Sequence, residues 1–289
     1  MKNIGIVANL NKKQAKARAK KIAASLRKKG LRVVFEKSLA DSLEEGGGGF
    51  TLEKAPGNLE ALIVLGGDGT LMSTFRGLGR RNIPLLGINL GGLGFLTEFR
   101  LSDVPKVLRD LSRGDLRAEK RMTLDCAVLR KNEVLETFTA VNDIVVGKGG
   151  LARVIQMEAL VDGEYLTSYM ADGIIAATPT GSTAYSLSAQ GPIVSPQTDT
   201  ILLNPICPHT LTNRPIILSG KKRIEVRLIS APDDTALTVD GQIGLPLRRG
   251  DVIRLSRGKK FLRLFTRADY TYFHILRSKL HWGGRSHYK

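Results

Sequence analysis

Apolar and polar positions follow one rhythm in the first part of the chain and another in the rest. Residues 3–8 form a short apolar run, after which Ala15, Ala19, Ile22, Ala23 and Leu26 recur at helical spacing. That spacing predicts a helix with one apolar stripe turned toward a sheet. Leu31-Arg-Val-Val-Phe35 reads as the next strand, so the chain opens as a β-α-β unit. The runs at 61–65 and 83–89 are apolar without alternation, as suits strands covered on both faces of a parallel sheet. Each stops at glycines, in Gly66-Gly-Asp-Gly-Thr70 and in Gly91-Gly-Leu-Gly-Phe-Leu-Thr97. Residues 71–75 start a helix after the first turn, and residues 103–111 read as another.

From about Leu124 the pattern changes to short runs that alternate or cluster between polar and glycine breaks, at 125–129, 138–142 and 153–161. This is the pattern of an antiparallel assembly. Gly147-Lys-Gly-Gly-Leu-Ala152 matches the spacing of a dinucleotide fingerprint. However, Ile155, Met157, Ala159 and Val161 alternate with polar residues, so a strand follows where the fingerprint needs a helix. Near the end, Phe273, Leu276 and Leu280 fall at helical spacing and predict a helix that packs back on the first domain. The expected fold is an α/β domain with a Rossmann-like parallel sheet over residues 1–118, joined by 268–289, and a predominantly β domain over 119–267.

A chain of 289 residues can bury a sizeable core in two domains. No apolar span reaches the roughly eighteen residues of a membrane helix, and the chain opens with Met1-Lys-Asn-Ile-Gly-Ile-Val. A soluble, cytoplasmic protein is expected. Cys126 and Cys207 lie far apart, which excludes a disulfide framework and a zinc signature. The net charge of +17 points to a polyphosphate ligand or to nucleic acid. Nine basic residues (Lys12, Lys13, Lys16, Arg18, Lys20, Lys21, Arg27, Lys28 and Lys29) lie on or beside the first helix. With no aromatic platform or finger beside them they read as its solvated side, and no nucleic-acid partner is expected.

Two stretches carry candidate chemistry. Gly66, Gly67 and Gly69 let main-chain N–H groups approach phosphate oxygens, and a strand-glycine-helix order favours such a cradle, though Asp-Gly is also a common surface turn. Asp68 would repel an anion there, so its use is to accept a proton or to meet a metal that accompanies phosphate. In Thr178-Pro-Thr-Gly-Ser-Thr-Ala-Tyr-Ser-Leu-Ser188, hydroxyls and glycine follow an apolar strand. They can donate to phosphate, ribose or a base edge, or form a loop with a helix cap. Ser182 lacks the spacing of a nucleophile elbow. His209 has no ligand partner at metal spacing. Val239-Asp-Gly-Gln242 reads as a hairpin turn able to point an amide into a site.

The order of these motifs, with Asn142-Asp143, Asp172-Gly173 and Pro208-His-Thr210 between them, resembles the bacterial NAD kinase family nearly end to end. GGDG-like turns also occur in lipid kinases and phosphofructokinases; the threonine-rich block is the more specific mark. The resemblance implies phosphoryl transfer from ATP, or polyphosphate in some relatives, with Mg²⁺ or another divalent metal, to the 2′-hydroxyl of the adenosine ribose of NAD. It implies Asp68 as proton acceptor, Gly69 against the dinucleotide, and Asn142 and Asp143 as hydrogen-bonding partners of NAD. It further implies Arg153 and Asp172 lining the site, contacts to adenosine from Thr183, Ala184, Tyr185, Ser186, Leu187 and Ser188, Gln242 reaching in, Phe95 as a wall, and a homo-oligomer. Three positions depart from the pattern: Asp143 where relatives commonly have Glu, Met170 where many have a basic residue, and Gln190 within a usual glycine pair.

Overall fold

The structure, a computed structural model, describes residues 1–44, 48–92, 94–149, 154–210, 212–267 and 271–282. It divides into one compact unit of Met1–Lys120 with Leu262–Lys289 and another of Arg121–Phe261.

The first unit is built on a six-stranded sheet in the order Arg32–Phe35, Asn3–Ala8, Ala61–Gly66, Leu85–Asn89, Leu262–Phe265, Ala118–Arg121. Neighbours run parallel from Arg32–Phe35 to Leu262–Phe265. The central strand Ala61–Gly66 is buried at every position, which its unbroken apolar sequence requires. The helix Ala15–Lys28 buries the five positions picked out by periodicity: Ala15, Ala19, Ile22, Ala23 and Leu26. Burial of Ile22 and Leu26 contributes about 1.5–3 kcal/mol each. The helix after the glycine turn spans Asp68–Gly77, three residues earlier than its apolar pattern suggests, because Gly67 takes the extended capping conformation. Ala118–Arg121 is too polar to read as a strand from sequence, and it occupies the edge of the sheet. The closing helix Tyr272–Leu280 is capped by Thr271, whose hydroxyl accepts from His274 N–H at 3.2 Å. It belongs to this unit and buries Ile275 and Leu276. Phe273, expected on the packed face, is 65% exposed, because the buried stripe lies one residue round.

The second unit contains two six-stranded antiparallel sheets. One runs Glu164–Ala171, Ile155–Val161, Ile224–Ser230, Val252–Arg257, Leu124–Arg130, Glu133–Ala140. The other runs Ile216–Ser219, Thr200–Ile206, Gly173–Ala177, Asp143–Gly147, Ala236–Val239, Ile243–Pro246. Leu124, Met157 and Val226 from the first and Ile144, Ile174 and Leu203 from the second share one core. A strand, Ile155–Val161, does follow the fingerprint-like glycines, so that segment is no dinucleotide turn. Among the described residues no helix is long and apolar enough to cross a membrane.

Candidate active site

In the first unit, the sheet delivers Asp68 to the carboxyl ends of two neighbouring strands. Gly66 pairs with Asn89 in the parallel register, so the two glycine-rich turns leave the sheet side by side. Asp68 is the first residue of its helix and lies at the positive end of the helix dipole. Its carboxylate is held from the second turn. Oδ1 accepts from Leu96 N–H at 3.2 Å, Thr97 N–H at 2.9 Å and the Thr97 hydroxyl at 2.8 Å. Among the described residues, Oδ2 accepts from Phe95 N–H alone, at 2.9 Å. A carboxylate offers about four acceptor positions, two per oxygen, so Oδ1 is saturated and Oδ2 keeps one in reserve.

The support extends one layer further. Asn89 Nδ2 donates to Thr97 Oγ1 at 2.7 Å, and Asn89 Oδ1 accepts from Gly91 N–H at 2.7 Å. Because Asn89 Nδ2 occupies the acceptor side of the Thr97 hydroxyl, that hydroxyl's proton is directed at Asp68. Gly94 closes the arrangement: a Cβ there would lie 2.1 Å from Asp68 Oδ1, so only glycine admits the carboxylate. Neither Asn89 nor Thr97 stands out by motif. A polar residue ending a buried apolar strand was the available signal for Asn89. Lys279 Nζ lies 5.8 Å from the centre of the Phe95 ring, a contact made by the closing helix to the residue that donates to Oδ2.

In the second unit, a buried carboxylate organises the nucleotide-type residues. The Val239–Ile243 hairpin turns through Asp240 (φ +49°) and Gly241 (φ +63°), the left-handed pair of a tight primed turn. Asp240, 8% exposed, accepts from the main-chain N–H groups of Val141 (3.1 Å), Asn142 (2.7 Å) and Asp143 (3.3 Å). Its main role is therefore to cap the entry to the Asp143–Gly147 strand. Gln242, beside it, is exposed. The Asn142 main chain also bonds to Thr178, whose N–H donates to Asn142 O at 2.8 Å, while the Asn142 side-chain amide has no partner among the described residues. Gly181 packs directly on Asn142, since a Cβ would meet its carbonyl oxygen at 2.1 Å.

The threonine-rich block folds as a single 3₁₀ turn, Thr180–Thr183, and a one-turn helix, Tyr185–Ser188. Its side chains divide sharply. Ser182 is fully buried: its hydroxyl donates to Pro179 O and accepts from Val194 N–H, which removes it as a nucleophile. Ser186 is also fully buried, and Asn204 Nδ2 donates to its carbonyl at 3.1 Å. Thr183, Ala184 and Leu187 are half-buried, whereas Tyr185 and Ser188 are exposed. Asp172 forms an ion pair of 2.7 Å with Lys148, a residue that sequence reading did not select. Arg153 lies outside the described residues.

Asp143 behaves differently from the ligand-facing residue the resemblance implies. At 4% exposure it offers almost no surface. Burial, and then the neighbouring charge of Asp240, raise its carboxyl to about 7, against the opposing hydrogen bond from Tyr185 N–H. A carboxyl raised in the folded state keeps a proton that the unfolded chain has already released. Its contribution to stability is therefore full below about pH 4, falls as pH rises to about 7 and is flat above. Asp143→Asn should accordingly gain stability relative to the parent between pH 5 and pH 8, on the order of 2 kcal/mol in chemical denaturation; a constant difference would show that Asp143 titrates normally.

Among the described residues no three His, Cys, Asp or Glu side chains gather as a metal cage. A metal brought by a polyphosphate and completed by water, the usual manner of Mg²⁺, needs no such cage.

Residues 4–116 match the family model of the ATP-NAD kinase N-terminal domain, and residues 141–266 that of the ATP-NAD kinase C-terminal domain. An NAD kinase of Geobacter metallireducens is 45% identical over 285 residues, covering 99% of this chain and all of the relative. An NAD kinase of Moorella thermoacetica is 45% identical over 287 residues, covering 98% and 91%. Among solved structures, a yeast NADH kinase complexed with NADH is similar at a TM-score of 0.90 and 26% identity, over 100% of this chain and 90% of that one. An Archaeoglobus fulgidus NAD kinase in complex with ATP shares the fold at a TM-score of 0.75 and 23% identity, over 96% and 98%.

Proposed function

This chain belongs to the ATP-NAD kinase family and phosphorylates NAD, and from that premise we propose that Asp68 Oδ2 takes the proton of the acceptor hydroxyl. The observation that carries this reading is the uneven loading of the carboxylate, with three donors on Oδ1 and one on Oδ2 among the described residues.

In the proposed step the 2′-oxygen of the adenosine ribose bonds to the γ-phosphorus of ATP as the bond from that phosphorus to the β,γ-bridging oxygen breaks. The products are NADP and ADP, and the hydroxyl proton passes to Oδ2. A secondary alcohol is a weak nucleophile, so an acceptor that takes the proton late in the step is useful. Most of the acceleration comes from in-line placement and from stabilising charge on the transferring group. The chain has no G-x-x-x-x-G-K-[ST] lysine. The amino end of the helix Asp68–Gly77, with Gly67 and Gly69 beside it, supplies main-chain donors in its place. A divalent metal, when bound with ATP, supplies further charge neutralisation.

NAD is held by the side-chain amide of Asn142, by the exposed Tyr185 and Ser188, and by the half-buried Thr183, Ala184 and Leu187. Ser186 acts from beneath, through its bond to Asn204, and Asp143 through its bond to Tyr185. Gln242, Arg153, and Asp172 with its partner Lys148 complete the set. Resemblance to the family also supports a divalent metal requirement, ATP or polyphosphate as donor, a cytoplasmic location and a homo-oligomer.

The test incubates purified protein with Mg²⁺, NAD or NADH, and either ATP or polyphosphate, and reads the product with an NADP-specific dehydrogenase. NADP formed in step with ADP supports the reading. Transfer to diacylglycerol or a sphingoid base, with none to the dinucleotide, overturns it.

A further inference from the structure

Charge is distributed very unevenly in this molecule. The first unit, counted over Met1–Lys120 and Leu262–Lys289, holds 28 of the 44 Lys and Arg but only 13 of the 27 Asp and Glu, while the second unit is nearly balanced. The stretch from Lys12 to Lys29 contributes nine of those basic residues and no acidic one. Two of the nine are engaged locally: Arg18 bonds to Gln14, and Arg27 lies 5.6 Å over the Phe35 ring. The other seven, Lys12, Lys13, Lys16, Lys20, Lys21, Lys28 and Lys29, are exposed, and none of their side chains makes an ion pair or hydrogen bond among the described residues.

This arrangement opposes the helix that carries it. The first turn has no acidic residue, so Lys16 faces the positive end of the dipole. Lys16 and Lys20 stand at i,i+4, where like charges cost roughly 0.2–0.5 kcal/mol. A face that is merely solvated would stabilise the helix better with interspersed glutamates. Local choices that work against the fold mark surfaces kept for another purpose.

Against the expectation from sequence of no nucleic-acid partner, we propose that the exposed face of the helix Ala15–Lys28, with the lysines flanking it, docks on the phosphate backbone of a nucleic-acid duplex. The helix is about 21 Å long, which presents its charges as a track. Apart from Lys and Arg, the exposed residues from Asn11 to Ala24 are Asn11, Gln14, Ala17 and Ala24. No apolar side chain larger than alanine is exposed over that stretch to enter a bilayer, and a polybasic patch alone is only one of the two signals that stable membrane anchoring needs. No aromatic side chain is exposed there to stack on unpaired bases, so a single strand gains nothing over a duplex. Phosphate neutralisation by lysine, in contrast, is sufficient for sequence-independent duplex binding.

The test is fluorescence anisotropy with a random-sequence 30-base-pair DNA duplex at 50 and 200 mM salt. With five phosphates neutralised, the parent protein loses roughly 500-fold in affinity over that range. The variant Lys12→Gln, Lys13→Gln, Lys16→Gln, Lys20→Gln, Lys21→Gln loses most of this salt dependence and binds weakly at 50 mM, with its NADP-forming activity within twofold of the parent as the check on folding. A matched variant in the second unit, Lys131→Gln, Lys221→Gln, Arg223→Gln, Arg248→Gln, Arg249→Gln, keeps the parent's dependence. The proposal is overturned by absence of duplex binding at 50 mM salt, by equal loss in both variants, or by capture on phosphatidylserine vesicles without affinity for the duplex.

Discussion

Asp68→Asn lowers turnover on the order of a thousandfold while NAD binds within a few-fold of the parent. The amide keeps the size of the carboxylate and can still accept on its oxygen from Leu96, Thr97 N–H and the Thr97 hydroxyl. It fails at the other atom. An NH₂ group in place of Oδ2 cannot take a proton, and it meets Phe95 N–H donor to donor. The variant therefore combines a chemical and a geometric loss, and Thr97→Val separates them. Thr97→Val removes one hydroxyl donor to Oδ1 and leaves Oδ2 intact, so it reports the cost of a loosened carboxylate alone, expected at about tenfold in kcat with KM for NAD unchanged. If Asp68→Asn is no worse than Thr97→Val, Asp68 is a brace for the second glycine turn and has no part in proton transfer.

Asp240→Ala destabilises the second unit by about 3–5 kcal/mol and abolishes NAD binding. The carboxylate accepts from three consecutive main-chain N–H groups, two of them buried and the third half-buried, and truncation leaves all three without a partner. An orphaned buried donor costs about 1–3 kcal/mol. The same change frees the main chain of Asn142, which positions the side-chain amide proposed to hold NAD. Thermal and denaturant melts measure the first effect, and dinucleotide titration under native conditions measures the second. Asp240→Asn is the informative companion, because its oxygen can still serve the three N–H groups while the charge that adds to burial in raising the Asp143 carboxyl disappears. A melt of Asp240→Ala within 1 kcal/mol of the parent would show that the cap is dispensable.

The sequence-level reading succeeded where the determinants are local. Unbroken apolarity at 61–65 placed a buried strand, the glycines that follow placed the turn, and the 3.6-residue period named the five core positions of the first helix. It fell short where a residue's role depends on partners distant along the chain. Asn89 and Thr97 matter because a parallel register brings Asn89 opposite Gly66, and no motif encodes that pairing. Asp240 stood within a recognised hairpin motif, yet its capping of a strand about a hundred residues earlier in the chain is visible only in three dimensions. The closing helix shows the limit of periodicity: Phe273 and Ile275 are both apolar, and packing alone decides which of them is buried. The threonine-rich block was legible as a candidate site, but its division into buried residues such as Ser186 and exposed ones such as Tyr185 was not, since hydroxyl residues suit either position.

In the proposed step one oxygen of Asp68 holds an acceptor position open for the ribose hydroxyl. The most direct measurement is a crystal structure with NAD and an unreactive ATP analogue. Asp68 Oδ2 is expected within about 2.6–3.2 Å of the 2′-hydroxyl, with Oδ1 still held by Leu96 and Thr97. A 2′-hydroxyl directed at another base, with Oδ2 facing only its own loop, would contradict it.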